Sequence, residues 1–454
     1  MIVLKFGGTS VGDAEAIART ARIVATRLER GAIVVVSALA GVTNELIAIA
    51  EQAVKGHLIG ALRGIEGLRD RHLGQTELLL GTGELSTDTA SELSAMIDEL
   101  AHLAEALATL GDMTPRSLAA ISAYGERMSS LLCTAAFTQR GIPAVHVDAG
   151  DVMITDDVYA RAEPQAEAIA EACRTMLIPL VRAGKAPVIG GFIGSAKGTG
   201  VTTTLGRGGS DYSASLLGAA VKAEAIEIWT DVDGMLTSDP RIVPNARLIE
   251  QIAFEEASEL ASFGAKVLHP NTIAPAVRLG IPVYVLNSIR PEGKGTKITF
   301  DAPSRAVSAI AGKKNITLVK VGSPRMLLTE GFLRSLFEIF ERHRTSVDVV
   351  ATSEVSVSLT VDDASQLEAI VGDLRALGDV SVERNRGVVA VVGGAIADGG
   401  EAMARALQAL GGVRIHMLSL SATGINLTMV VDDEQVTPAI QRLHEAFFSE
   451  EVPV

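Results

Sequence analysis

Five short apolar runs constrain the fold more than anything else in the chain: IVLKFGG at 2–8, AIVVVSA at 32–38, APVIGGFIG at 186–194, AIEIWTD at 225–231 and IPVYVLNS at 281–288. Each run is continuous rather than alternating, which predicts strands buried on both faces. Helical text lies between them, at 13–30, 92–110, 166–181 and 212–222. The alternation predicts an α/β fold, a mostly parallel sheet with helices on both faces. Ligands of such sheets bind beyond the carboxyl ends of the strands, and the Gly, Ser and Thr clusters fall there.

A length of 454 residues suits two or three domains, and 48% apolar with 21% charged residues excludes wholesale disorder. No apolar run reaches the ~18 residues that span a bilayer, and a strand-like N-terminus argues against a secretory signal. Cys133 and Cys173 stand in apolar helical text without metal-ligand spacing, as buried free thiols of a cytoplasmic protein would. The net charge of -14 argues against a nucleic-acid partner. An anionic substrate would therefore need a few local cations.

Composition shifts after Lys294, where PEGKGTKITFDAPSRAV reads as a connector; the expected domains are 1–297 and 298–454. Beyond it the chain repeats itself. SEVSVSLTVDD at 353–363 overlays TGINLTMVVDD at 423–433, and Leu333, Phe337 and Phe340 overlay Met403, Leu407 and Leu410. Each trio shares one helical face by its spacing. Each unit reads as strand, helix, strand, strand, helix, strand, a ferredoxin-like pattern.

Chemistry concentrates in a few stretches. LKFGGTS at 4–10 ends a strand with Lys5, and Gly7 and Gly8 open the backbone to a ligand before a helix from about Asp13. That arrangement suits phosphate, with a plain turn and a solvent-facing Lys5 as the other reading. Neither a Walker A loop nor a Rossmann fingerprint occurs. In TTTLGRGGSD at 202–211, glycines clear the ground around Arg207, whose fork fits a carboxylate or phosphate. Asp211 reads either as a helix cap or as the partner that orients a lysine. WTDVDGMLTSDPR at 229–241 puts Thr230 and Asp231 at a strand's carboxyl end, and FGAKVLHP at 263–270 puts Lys266 and Val267 near a turn, with His269 structural. Glu126 opens a helix, alone no more than a solvated charge or dipole partner.

KFGGTSV, TTTLGRGGSDYSA, WTDVDG, SDPR and FGAKVLHP, in this order, resemble the aspartate kinases of the amino acid kinase family, and the C-terminal repeat is similar to their tandem ACT domains. The resemblance covers essentially the whole chain. It implies phosphorylation of the side-chain carboxylate of L-aspartate by ATP with Mg2+, giving 4-phospho-L-aspartate. By the same resemblance, Lys5 neutralises the transferred phosphoryl group, Gly7 and Gly8 donate amides, and Asp211 orients the lysine. Ser37 and Thr43 belong to the substrate pocket, Glu126 meets the substrate ammonium, and Arg207 with Ser210 holds its carboxylate. Thr230, Asp231, Leu236, Arg241, Lys266 and Val267 fall on nucleotide-binding positions; the family often has tyrosine where this chain has Leu236. No protein metal site is implied. The attacking carboxylate is already ionised at neutral pH, so no covalent nucleophile or general base is called for.

The resemblance extends to regulation. ACT1, about 322–386, is expected to be inserted in ACT2, made of about 306–321 and 387–454. Met326, Thr329, Gly331, Phe332, Leu333, Ser346, Val347, Asp348, Ser353 and Glu354 match the effector motif of lysine-sensitive members, which implies L-lysine as inhibitor and a homodimer, or a tetramer, through the ACT domains. In the second repeat Leu418 replaces Asp348 and His416 replaces Ser346, so that copy lacks the carboxylate for an ammonium. Threonine stays open as an effector. The competing functions are another amino acid kinase, acting on acetylglutamate, glutamate or UMP, and an amino-acid sensor with a dead kinase part.

Overall fold

The structure is a computed structural model that describes residues 1–263, 270–327, 330–398 and 400–449; Lys266, Val267, His269 and Thr329 lie outside the described residues. The chain forms two compact units. One is built from Met1–Met235 and the stretch ending at Phe300, the other from the stretch beginning at Leu236 and everything from Asp301.

The first unit is organised by β1 (Ile2–Phe6), β2 (Ala32–Val36), β3 (Ala144–Val147), β4 (Ala186–Gly190), β5 (Ala225–Thr230), β6 (Val283–Asn287) and β7 (Thr296–Thr299). They lie in the order β3-β4-β2-β1-β5-β6-β7, parallel apart from β7. Every residue of β1 and β2 is buried, as the continuous apolar text requires. β3 escapes that reading because it is an edge strand and mostly half-exposed. The register puts Lys5 beside Val35 and Ile228, so its side chain leaves the sheet at the carboxyl end.

The helices depart from the sequence text in instructive ways. Asp13 precedes Ala14–Ala25 as its cap, its Oδ1 accepting from the Ala16 N–H at 2.8 Å. The segment expected at 92–110 begins at Glu84, directly after Gly83. The segment at 166–181 is broken: Ala166–Ala172 and Ile178–Arg182 flank a π-turn at Cys173–Leu177. Pro179, which has no N–H to give, accounts for the irregularity. Cys133 and Cys173 are both buried, and burial pushes each thiol up to about 12.

The second unit holds a six-stranded antiparallel sheet with two long central strands, β8 (Ala309–Gly322) and β11 (Asp379–Val392). Its other strands are β9 (Val350–Thr352), β10 (Ser356–Val361), β12 (Met417–Leu420) and β13 (Asn426–Asp432). Residues Thr317–Gly322 of β8 pair with β10, while Ala309–Lys313 face Val388–Val392, the part of β11 that pairs with β13. Both ferredoxin-like halves thus share two continuous strands, with a register shift between Lys313 and Leu318 where one half passes into the other.

The repeated helical trios share a face, but only its last member is core. Phe340 and Leu410 are buried, whereas Leu333, Phe337 and Leu407 are about two-fifths exposed (40%, 39% and 43%). The buried stripe of Phe332–Arg342 is Phe332, Leu336, Ile339 and Phe340, rotated from the trio. The first half therefore turns Leu333 and Phe337 outward, and the second half turns out Leu407 alone, with Met403 packed against its core. Among the described residues no helix is long and apolar enough to cross a membrane.

Candidate active site

The carboxyl ends of β1, β2 and β4 open onto a cavity of about 820 Å³. Its lining includes Lys5, Gly8, Ser37, Thr43, Glu126, Arg207, Ser210 and Asp211, eight positions singled out from sequence and widely scattered along it. That volume lies within the usual range for small-molecule sites.

Lys5 is 8% exposed, and its Nζ lies 2.7 Å from Asp211 Oδ1. The contact is an ion pair outside hydrogen-bond geometry, and Oδ1 has no other partner. Asp211 is not the helix cap. The helix Gly209–Val221 begins three positions earlier than its text suggested, with Gly208 at φ +69° in the capping position and no side-chain cap. A side chain there would meet the left-handed penalty that glycine avoids. Asp211 in the first turn is thereby free to face Lys5.

Two helix starts point at this space. Gly41, at φ +85°, precedes Val42–Val54, again without a side-chain cap. Gly41, Thr43, Asn44, Gly208, Ser210 and Asp211 all line the cavity. Among the described residues the N–H groups of Thr43, Asn44, Ser210 and Asp211 have no backbone partner. Uncommitted amides at two helix N-termini make a polar cradle for an anion.

The glycine pair after β1 does less than the sequence suggested. Gly7 spends its N–H on Trp229 O at 3.0 Å, extending the sheet, and only Gly8 borders the cavity. A Cβ on Gly8 would come within 3.0 Å of Ala38 O, so the strand ends pack too closely for a side chain. Nor does the following helix offer a bare N-terminus, since Asp13 already caps it.

Glu126 departs from its bland reading altogether. It stands in the first turn of Tyr124–Gln139, is 4% exposed, and its Oε2 has no hydrogen-bond partner. Burial pushes its carboxyl up to about 8, against the pull of the Ala38 amide, its own backbone and Lys5. Close packing accounts for the burial: a Cβ on Gly125 would lie 2.8 Å from Ala38 Cβ, and one on Gly190 would lie 3.0 Å from Glu126 O.

Arg161, Phe192 and Ser122 also line the cavity and went unnoticed in the sequence. Phe192 is held at φ +67°, its N–H donating to Ser213 Oγ at 3.0 Å. The GGFIG text gave one signal for it, glycines flanking an aromatic at a strand end. Arg161 gave none.

The remaining candidates are elsewhere. Thr230 and Asp231 follow β5, with Thr230 Oγ1 donating to Asp231 Oδ1 at 3.2 Å. Leu236 and Arg241 belong to the second unit; Leu236 bridges Leu248, and Arg241 grips Asp239 with its Nη2 2.6 Å from Oδ2. Also in the second unit, Gly331 at φ +83° starts the uncapped helix Phe332–Arg342, and Met326 and Val347 pack against the core of the first half. Asp348 is exposed, although partial burial around its carboxyl pushes it upward and Lys313 pulls it back. Ser346, Ser353 and Glu354 are exposed as well. A cavity of about 580 Å³ in this unit is lined by none of these; it runs between Leu367, Glu368, Val371 and Arg375 on one side and Val382 and Arg384 on the other. His416, at the place of Ser346 in the second repeat, sits between Glu383 (3.2 Å) and Asp432 (3.0 Å).

Residues 1–287 match the amino acid kinase family, and 389–447 match an ACT domain. The lysine-sensitive aspartokinase 3 of Escherichia coli K12 is 38% identical to this chain over 99% of both chains. A chloroplastic aspartokinase 1 of Arabidopsis thaliana is 33% identical over 98% of this chain and 80% of its own length. The crystal structure of E. coli aspartokinase III with aspartate and ADP superposes with a TM-score of 0.86, covering 99% of this chain and 100% of that one; the complex with lysine and aspartate gives 0.82. A parallel-stranded unit with these motifs at its strand ends, followed by ACT-type antiparallel sheet, places the chain among the aspartokinases of the amino acid kinase family.

Proposed function

We propose that the protein transfers the terminal phosphoryl group of ATP to the side-chain carboxylate of L-aspartate, forming 4-phospho-L-aspartate and ADP. The observation that carries this reading is the cavity itself. It sets the Lys5–Asp211 pair, a buried Glu126 with a free oxygen, Arg207 and two uncapped helix starts around one space. Phosphoryl transfer to a carboxylate brings two anions together, so catalysis rests on positioning and charge neutralisation. Lys5 is the cation for the transferring group, fixed by Asp211. Ser37, Thr43, Ser210 and Arg207 hold the carboxylates, and Glu126 accepts the ammonium.

Thr230, Asp231, Leu236, Arg241, Lys266 and Val267 are the proposed nucleotide contacts. No cluster of three or more His, Cys, Asp or Glu suited to a metal occurs among the described residues. Mg2+ is proposed as a companion of ATP, where it would supply charge neutralisation to the phosphates. Residues 1–297 would form the catalytic domain and 298–454 the regulatory region, with ACT1 at 322–386 inserted in ACT2.

L-Lysine is the proposed inhibitor, held at ACT1 by Asp348 and Glu354 at its ammonium groups and by the start of Phe332–Arg342 at its carboxylate. The outward apolar side chains of Leu333, Phe337 and Leu407 support a homodimer through the ACT region, since exposed apolar surface of this kind marks association. The proposed setting is the cytoplasm, where the two thiols stay reduced.

ADP release with Mg-ATP and L-aspartate, with and without millimolar L-lysine, tests the reading. Activity abolished by lysine is expected. Activity indifferent to lysine would remove the effector assignment, and no activity with aspartate would remove the kinase assignment.

A further inference from the structure

Two guanidiniums line the cavity, and only Arg207 belongs to the glycine loop. The other, Arg161, stands in the segment 156–163, which is closed on itself and tied to the strand leading to Arg207. Asp156 Oδ1 accepts from the N–H groups of Val158 (3.1 Å) and Glu163 (2.9 Å), and Asp156 N–H donates to Glu163 O at 2.9 Å. Thr204 N–H donates to Tyr159 O at 2.7 Å, and Ala162 N–H donates to Thr204 O at 3.0 Å. Arg161 is thus fastened beside the residues that run into Gly206 and Arg207. A Cβ on Gly206 would lie 3.5 Å from Arg161 Cγ, so the Arg161 side chain passes close to the backbone that leads into Arg207.

Neither arginine has a carboxylate partner among the described residues, although the chain carries a net charge of -14 and Asp157 and Glu163 flank Arg161 in sequence. Both are exposed, whereas Lys5 and Glu126 are buried. The cavity therefore has a deep end, with one ammonium and one carboxyl, and a rim with two planar forks. Reaction at the deep end leaves the substrate's other carboxylate at the rim, where two forks can grip it from two sides.

We propose that Arg161 is a substrate-binding residue that, with Arg207, holds the α-carboxylate of the dicarboxylic amino acid and selects for it. This inference rests on the aspartate-kinase reading. The test is steady-state kinetics of the full-length R161Q and R161K variants with L-aspartate and with its α-amide, isoasparagine.

R161Q is expected to raise KM for aspartate by about tenfold or more, with kcat and KM for ATP within twofold of the parent, because a lost charge-assisted contact to bound substrate acts on binding. It is also expected to shrink the preference for aspartate over isoasparagine by a similar factor, which loss of packing alone would not do. R161K keeps the charge without the fork and should lie between. An unchanged KM for aspartate in R161Q overturns the proposal, as does a fall in kcat at constant KM, which would put Arg161 on the phosphoryl group. A parent enzyme that turns over ATP with neither amino acid overturns the underlying reading together with it.

Discussion

The ammonium of Lys5 and the carboxylate of Asp211 meet at 2.7 Å, one leaving the carboxyl end of a buried strand and the other the first turn of an uncapped helix. Both side chains are largely shielded from water, at 11% and 15% exposure, so neither is an ordinary surface charge. Removing Lys5 leaves a shielded carboxylate facing incoming phosphate, and removing the charge of Asp211 frees the ammonium to swing. Lys5→Ala should therefore lower kcat by about a hundredfold or more while KM for aspartate changes far less, the behaviour of a charge that matters most in the transition state. Asp211→Asn should lose less, since the lysine remains. Near-normal turnover in Lys5→Ala, measured at saturating substrates, would remove the lysine from the chemistry.

Glu126 sets a pH dependence with a definite sign. Its carboxyl is pushed up to about 8 by burial, so the free protein binds a proton there at pH 7 that the unfolded chain does not. Stability of the ligand-free protein should then fall as pH rises from about 4.5 to about 8, because over that window the folded state holds the extra proton. Aspartate binding runs the other way: its ammonium needs the ionised carboxylate, so KM for aspartate should drop as pH rises toward 8. Calorimetric titration in buffers of different ionisation enthalpy should show proton release on binding at pH 7, absent in Glu126→Gln. A proton count of zero in the parent would mean Glu126 is already ionised.

The central strands were legible because β1, β2, β4, β5 and β6 are predominantly apolar, Lys5 and Glu227 being the charged exceptions, and the glycine-rich ends marked where a ligand would lie. Pairing was legible through the resemblance alone: nothing local joins Lys5 to Asp211, and Asp211 could equally have capped its helix until Gly208 took that position. Glu126 looked like a solvent-facing helix-start charge because burial depends on Ala38 packing against Gly125, a contact between distant segments. The repeated trio of Leu333, Phe337 and Phe340 gave the right helix and the wrong core stripe, since periodicity finds an apolar face without saying what covers it. Arg161 was invisible because its meaning lies in what the strand Thr202–Thr204 brings beside it.

Gly191 should be less replaceable than its sequence suggests. A Cβ there would lie 2.7 Å from Ser210 Cβ and 2.8 Å from Ser210 Cα, so backbone rather than a flexible tip must move. Gly191→Ala is expected to cost about 1–3 kcal/mol of stability and to raise KM for aspartate, because the helix start carrying Ser210 and Asp211 shifts with it. Gly67→Ala is the matching control: it lies inside the helix Leu58–Leu80 with open space around the added methyl, and should gain roughly 0.5–1 kcal/mol. Calorimetric melting of both variants checks the pair. Equal effects would show that the approach at Ser210 is not tight.

The two halves of the regulatory sheet give a comparison within one molecule for the effector. Asp348 lies beside β9 in the first half, its N–H donating to Thr360 O at 3.0 Å. Leu418 takes the equivalent place in β12 of the second half, 42% exposed, and the neighbouring His416 is occupied by Glu383 and Asp432. An ammonium effector thus finds a carboxylate at this position in one half only. Asp348→Ala should abolish lysine inhibition while leaving basal activity intact, whereas Leu418→Ala should leave inhibition unchanged. The coupling to be lost is of the order of 1–3 kcal/mol, a roughly fivefold to 150-fold effect of bound lysine on the affinity at the other site. Inhibition curves for both variants decide it: full sensitivity in Asp348→Ala would move the effector site away from the first half.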